Sequence, residues 1–112
     1  LDDRKILAAP GGTKMKKKYR QVICADGLSM SVQASTTAYC NPRNDEGPYY
    51  SVEVGFPSYP LMELREYAED PNDMENTVYG WVPLELVRKI IYVRGGLADG
   101  ELPPHVETDI LL

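Results

Sequence analysis

Leu28-Ser29-Met30-Ser31-Val32-Gln33-Ala34 decides the fold class. Leu28, Met30, Val32 and Ala34 alternate with Ser29, Ser31 and Gln33. A period of two puts the apolar set on one face of a strand and the polar set on the other. Immediately upstream, Ala25-Asp26-Gly27 carries an Asp-Gly turn, where glycine tolerates a positive φ. Before it, Tyr19–Cys24 is rich in strand formers. The sequence therefore predicts a β-hairpin that is apolar on one side and hydroxyl-bearing on the other.

Reading outward, Ser35–Pro48 is a long loop with the turn formers Asn41-Pro42 and Gly47-Pro48. Tyr50, Val52, Val54 and Phe56 alternate with Ser51, Glu53 and Gly55, which predicts a third strand ended by Pro57 and Pro60. Leu61–Glu69 suits a short helix or an irregular segment equally, and Asp70-Pro71-Asn72-Asp73 is a turn. Thr77–Val82 reads as a fourth strand, with Tyr79 and Trp81 on one face. The clearest helix is Pro83–Arg94. Proline suits its first position, Glu85 meets the positive end of the dipole, and Gly95-Gly96 stops it. Leu84, Leu86, Val87, Ile90, Ile91 and Val93 cover about half its circumference, so a sheet should cover that half. The expected architecture is α+β: an antiparallel sheet of three or four strands, with one main C-terminal helix packed on one face.

The 112 residues amount to about one domain. A hydrophobic share of 43% with 26% charged residues argues against wholesale disorder. Residues 1–14 have no clean period and contain Pro10-Gly11-Gly12, whereas Met15 opens a stretch that looks like a bacterial start. The expectation is a leader or flexible arm over 1–14, one α+β domain over 15–96, and a flexible tail over 97–112. The terminal Ile110-Leu111-Leu112 is apolar enough to dock on this domain or on a neighbour. No apolar run approaches the ~20 residues of a membrane span, and no signal-peptide pattern is present, so a cytoplasmic protein is expected.

The net charge of −5 is unevenly spread. Between Asn41 and Tyr79 there are 9 acids against 2 bases, Arg43 and Arg65, a local charge of −7. Such a region disfavours phosphate backbones and favours a basic protein partner; a solvated surface that serves solubility is the alternative.

Several chemistries lack their residues. There is no phosphate-binding G-x-x-x-x-G-K-[ST], no G-x-G-x-x-G, no Cys-x-x-Cys and no His-Glu-x-x-His. His105, the single histidine, follows two prolines, a poor place for a base that must be held rigidly. Cys24 and Cys40 imply no disulfide, and with His105 they have no zinc-ligand spacing. Glu66 and Asp70 would share a face if their segment were helical, most simply as a solvated face. The sequence thus predicts no catalytic residue, no metal and no cofactor.

Tyrosine and tryptophan bury large area at low entropic cost and are enriched at interfaces. Tyr39, Tyr49, Tyr79 and Trp81, with Arg43 and the acidic Glu69 and Asp70, form the candidate binding set. Arg43 is either a salt-bridge hub or an anchor.

Several segments resemble small uncharacterised proteins of tailed phages and prophages. They are Ala25–Ser35, Tyr39-Cys40-Asn41-Pro42-Arg43, Gly47-Pro48-Tyr49, Val52–Ser58, Tyr67-Ala68-Glu69-Asp70 and Thr77–Pro83. The likeness covers roughly Arg20 to Gly96. It implies a phage accessory gene acting in a bacterial cytoplasm and carries over no activity. Three functions follow as expectations. The first is a non-catalytic accessory protein that binds a host or phage protein, which includes mimicry of nucleic acid against a basic nuclease. The second is an assembly component that forms a homo-oligomer through strand edges. The third is a small enzyme with a thiol or carboxylate site in the Cys24–Cys40 region, which requires a concave pocket holding Cys40, Asp26 or Arg43.

Overall fold

The computed structural model describes residues 18–106; the predicted leader over 1–14 and the terminal Ile110-Leu111-Leu112 lie outside the described residues. Strands β1 (Val22–Cys24), β2 (Ser29–Gln33), β3 (Ser51–Gly55), β4 (Val78–Pro83) and β5 (Leu97–Asp99) form one sheet in the order β4-β3-β2-β1-β5. All four pairings are antiparallel. A 3-10 helix, Met62–Tyr67, precedes β4, and the main helix α1 spans Leu84–Val93.

The hairpin forms as its alternation predicts. Leu28, Met30, Val32 and Ala34 are buried, while Ser29, Ser31 and Gln33 are half-exposed. In its turn the Gly27 N–H donates to the Cys24 carbonyl at 2.9 Å, with Gly27 at φ 97°. The Asp26 carboxylate accepts the Leu28 N–H at 3.0 Å. That bond first, and the Arg94 guanidinium second, hold the Asp26 carboxyl below the usual carboxylate range.

Helix α1 begins directly after β4, which lies at one edge of the sheet, and delivers the chain to β5 at the other. Its ten residues cover about 15 Å. Four strand spacings amount to roughly 19 Å, so the helix covers most of the core face, and Arg94–Gly96 complete the crossing at the hairpin turn, where the Arg94 and Gly96 carbonyls accept from Asp26 and Ala25. Leu84, Val87, Ile90 and Ile91 join Val22, Met30, Val32, Val52, Val54 and Tyr79 in a single core. Val93, predicted on the buried half, is instead 61% exposed in the last turn.

Gly95 closes the helix at φ 94°, with its N–H donating to Tyr92 and the Gly96 N–H donating to Ile91 at 2.9 Å. This is the paired bonding of a Schellman end. A β-carbon at Gly95 would stand 2.9 Å from that of Ala25, so the glycine also allows the helix end to approach the hairpin turn.

Further features differ from the sequence expectation. The sheet has five strands, because Leu97–Asp99 pairs with β1; the ordered domain therefore continues past Gly96 into the predicted tail. Beyond it, the Tyr49 N–H donates to Pro104 and the Val106 N–H donates to Tyr49. The segment after Pro60 is a 3-10 helix, so Glu66 and Asp70 do not become i,i+4 partners on an α-helical face. Finally, Tyr50 and Phe56 are not on the core face with Val52 and Val54. Phe56 sits at φ 50° and both rings are exposed.

Tyr49 is fully buried, and its hydroxyl donates to the Asn44 carbonyl at 2.8 Å. Burial pushes its pKa up to about 12, with nearby acids adding to the effect. The folded state thus holds this proton longer than the unfolded chain does. Stability should be unaffected by this group at neutral pH and fall as pH rises from about 10 towards 12. An alkaline absorbance titration should show one of the eight tyrosines ionising last, and Tyr49→Phe should remove that step. Ser51 is buried, and its hydroxyl has no hydrogen-bond partner among the described residues. Ser51→Ala should therefore leave stability unchanged or raise it by up to about 1 kcal/mol in denaturant unfolding.

Candidate functional site

The site is built on an irregularity in β4. Val52 pairs with Val82, and Val54 pairs with Tyr79. Glu53 alone therefore opposes both Gly80 and Trp81, which is a β-bulge. The extra residue lets Tyr79 and Val82 both face the core, where both are buried. It also turns Trp81 outward at φ 52°, with 47% of its surface exposed. A bulky residue at positive φ costs about 1–3 kcal/mol. The predicted sharing of one face by Tyr79 and Trp81 is thus corrected: a strict period of two fails where one strand carries an extra residue.

Two segments meet the outer edge of β4 and leave a gap between them. On one side the Glu69 N–H donates to the Val78 carbonyl at 2.9 Å, and Ala68 bridges to Tyr79. On the other, the Trp81 N–H donates to the Tyr39 carbonyl at 3.0 Å. Between them lies a groove of about 550 Å³. Val78 and Gly80 line it along β4, Glu66, Tyr67 and Glu69 on one flank, and Tyr39 and Trp81 on the other. A β-carbon on Gly80 would stand 3.2 Å from that of Tyr39, so glycine is what lets Tyr39 lie this close.

Tyr39 comes from the long loop, which its own polar side chains brace. Ser35 Oγ accepts the N–H groups of Thr37 and Ala38, and Asn44 Oδ1 accepts those of Glu46 and Gly47. These are the local bonds that make such residues turn formers. Ala38 and Cys40 are buried on either side of Tyr39, and the Tyr39 N–H donates to the Glu53 carboxylate at 2.9 Å. The ring is thereby presented to Trp81. The two rings stack with centroids 5.0 Å apart and planes 21° from parallel. The Arg43 guanidinium carbon lies 5.6 Å from the Tyr39 centroid, and its Nη2 donates to the Thr37 carbonyl.

Tyr67, at the end of the 3-10 helix, has its pKa raised by burial first and by a hydrogen bond with Glu66 second. Leu64, one turn earlier and fully buried, anchors that helix to the core.

Of the predicted binding set, the structure brings Tyr39, Arg43, Glu69 and Trp81 together. Tyr49 and Tyr79 are core residues without exposed surface, and the Tyr79 hydroxyl donates to the Met74 carbonyl. Asp70 is spent on its own turn, where its carboxylate accepts the Asn72 N–H. Glu66 stood out in the sequence only as half of a carboxylate pair with Asp70, and Tyr67 and Gly80 carried no site signal beyond one: an isolated glycine inside a strand pattern marks a bulge or a close approach.

Cys24 and Cys40 are free and buried. Burial pushes both thiols up, and the Cys40 thiol donates towards the Ser35 and Pro42 carbonyls. A protonated thiol shielded from solvent is in the wrong state for a nucleophile. Neither Cys40 nor Asp26 lines the β4 groove. Among the described residues, no group of three or more His, Cys, Asp or Glu could hold a metal ion. No described helix is long and apolar enough to cross a membrane.

Tyr39→Ala should shift the fluorescence of Trp81, the single tryptophan, towards that of a more solvated indole, because it removes the stacked ring. Leu64→Ala should cost about 2–5 kcal/mol in denaturant unfolding, as a fully buried leucine would. Comparison of the chain with protein-family models, with curated proteins and with solved structures found no match.

Proposed function

We propose that this chain is a non-catalytic binding protein whose contact surface is the groove along β4, and that its partner is a protein presenting a basic segment. The observation that carries this reading is the exposed Tyr39–Trp81 stack beside Glu66 and Glu69 on one open groove. Aromatic surface attracts the stems and faces of long cationic side chains, and carboxylates attract their heads. The surrounding −7 region extends the same preference beyond the groove and works against phosphate backbones. The resemblance to tailed-phage proteins supplies a setting, an accessory protein acting on a host or phage factor in the bacterial cytoplasm.

A second reading is homo-oligomerisation through β5. All three residues of this edge strand are exposed. Beside it, Ile91, Tyr92, Leu97 and Leu102 line an apolar groove of about 210 Å³. An unpaired edge with apolar surface nearby can pair with a second copy. On this reading, light scattering should give a mass that rises with concentration; a monomer throughout would end it.

The binding reading is tested by titrating the protein with a peptide of alternating lysine and arginine while following Trp81 fluorescence. Saturable binding at low salt is expected, weakening steeply as ionic strength rises. Glu66→Gln with Glu69→Gln should weaken it by up to about thirtyfold, since each exposed charge pair contributes up to about 1 kcal/mol. An acidic peptide that binds as well as the basic one would defeat the proposal.

A further inference from the structure

The groove has features that distinguish among basic side chains. We infer that its anchor is the guanidinium of an arginine in the partner, stacked on the exposed indole of Trp81 with its edge towards Glu66 and Glu69. This deepens the binding reading and rests on it.

Three observations support arginine over lysine. First, the indole of Trp81 is exposed and pre-ordered. The rings are nearly parallel, the Tyr39 carbonyl holds the Trp81 backbone, and Trp81 remains 47% exposed. A planar guanidinium gains most from such a surface. An ammonium is a compact, strongly hydrated charge and loses its water on approach. Second, the protein itself sets a guanidinium over one ring of this pair, with Arg43 lying 5.6 Å from the Tyr39 centroid, which leaves Trp81 for the partner's. Third, carboxylates line the same groove: Glu66 and Glu69 come from the segment across Gly80. A stacked guanidinium directs its N–H groups sideways, in its own plane, and so can use the rings and the carboxylates together. An ammonium satisfies one or the other.

The groove volume, about 550 Å³, exceeds that of one side chain, so it accommodates the anchor with its neighbours in the peptide. A stacked nucleobase would also suit the rings, but its phosphates would meet Glu53, Glu66 and Glu69 around the same platform.

The test compares blocked hexa-arginine with blocked hexa-lysine, which carry equal charge, by Trp81 fluorescence and by calorimetry at low salt. The expected result is about tenfold tighter binding of hexa-arginine, a preference that charge alone does not produce. Trp81→Gly, which suits the positive φ, should keep the fold by circular dichroism and abolish the preference in calorimetry. Glu66→Gln with Glu69→Gln should weaken both peptides. Equal affinities for the two peptides would overturn the arginine anchor and leave the basic-partner reading standing. Failure of both peptides to bind would overturn both. A preference that survives Trp81→Gly would place the anchor elsewhere and overturn this inference alone.

Discussion

Strands β3 and β4 must pair while one carries a residue more than the other, and the way they absorb it organises the molecule. Glu53 opposes Gly80 and Trp81 together. With no extra residue, Tyr79 and Trp81 would point the same way, and Val82 would leave the core. With it, Tyr79 and Val82 both bury, and the chain reaches Pro83 in register to begin α1 over the apolar face. The displaced residue is a tryptophan held outward at positive φ, a strained position stabilised by the stack with Tyr39 and the bond to the Tyr39 carbonyl. Packing of the core and presentation of the surface platform are therefore two consequences of one irregularity.

The edges of the sheet are treated differently. At β4, the chain covers the edge with its own segments at Tyr39 and at Ala68–Glu69, and the interval between them becomes the groove. At β5, the edge is only three residues long, and its Asp99 pairs with Arg20 at 3.1 Å. A short, charged edge is a usual defence against unwanted strand pairing. The apolar groove beside β5 is the smaller of the two, and no carboxylate lines it. Of the two, it is the β4 groove that combines stacked aromatic rings with negative charge.

Local signals accounted for much of the fold. The alternation over Leu28–Ala34 predicts which side chains bury, Asp26-Gly27 predicts the turn, and Gly95-Gly96 stops the helix, whereas Pro83, expected at the first helical position, ends β4 in extended backbone just before α1. Each depends on residues within a few positions of one another. The fifth strand was not legible, because Leu97–Asp99 is short, fully exposed and unpatterned. It exists because α1 crosses the sheet and releases the chain beside β1. The 3-10 helix was ambiguous for a related reason. Leu61 and Leu64 bury against the core, and no capping side chain marks its start.

Of the site, the sequence supplied the residue types but not the grouping. Tyr39, Arg43, Glu69 and Trp81 stood out as aromatic or charged residues in an acidic region, and Tyr49 and Tyr79 stood out equally. Only the tertiary structure separates them, because burial of a tyrosine depends on which strand lies over it and on whether its hydroxyl finds a carbonyl. Tyr49 finds Asn44 and Tyr79 finds Met74, so both enter the core. By itself the sequence determined an α+β chain with a one-sided hairpin, a capped amphipathic helix and an acidic middle, since period, caps and charge are properties of neighbouring residues. The register of β4 against β3, the outward turn of Trp81 and the meeting of Tyr39 with Glu66 and Glu69 were decided by the folded chain. They join residues far apart in sequence, whose pairing is set by how the strands fit together.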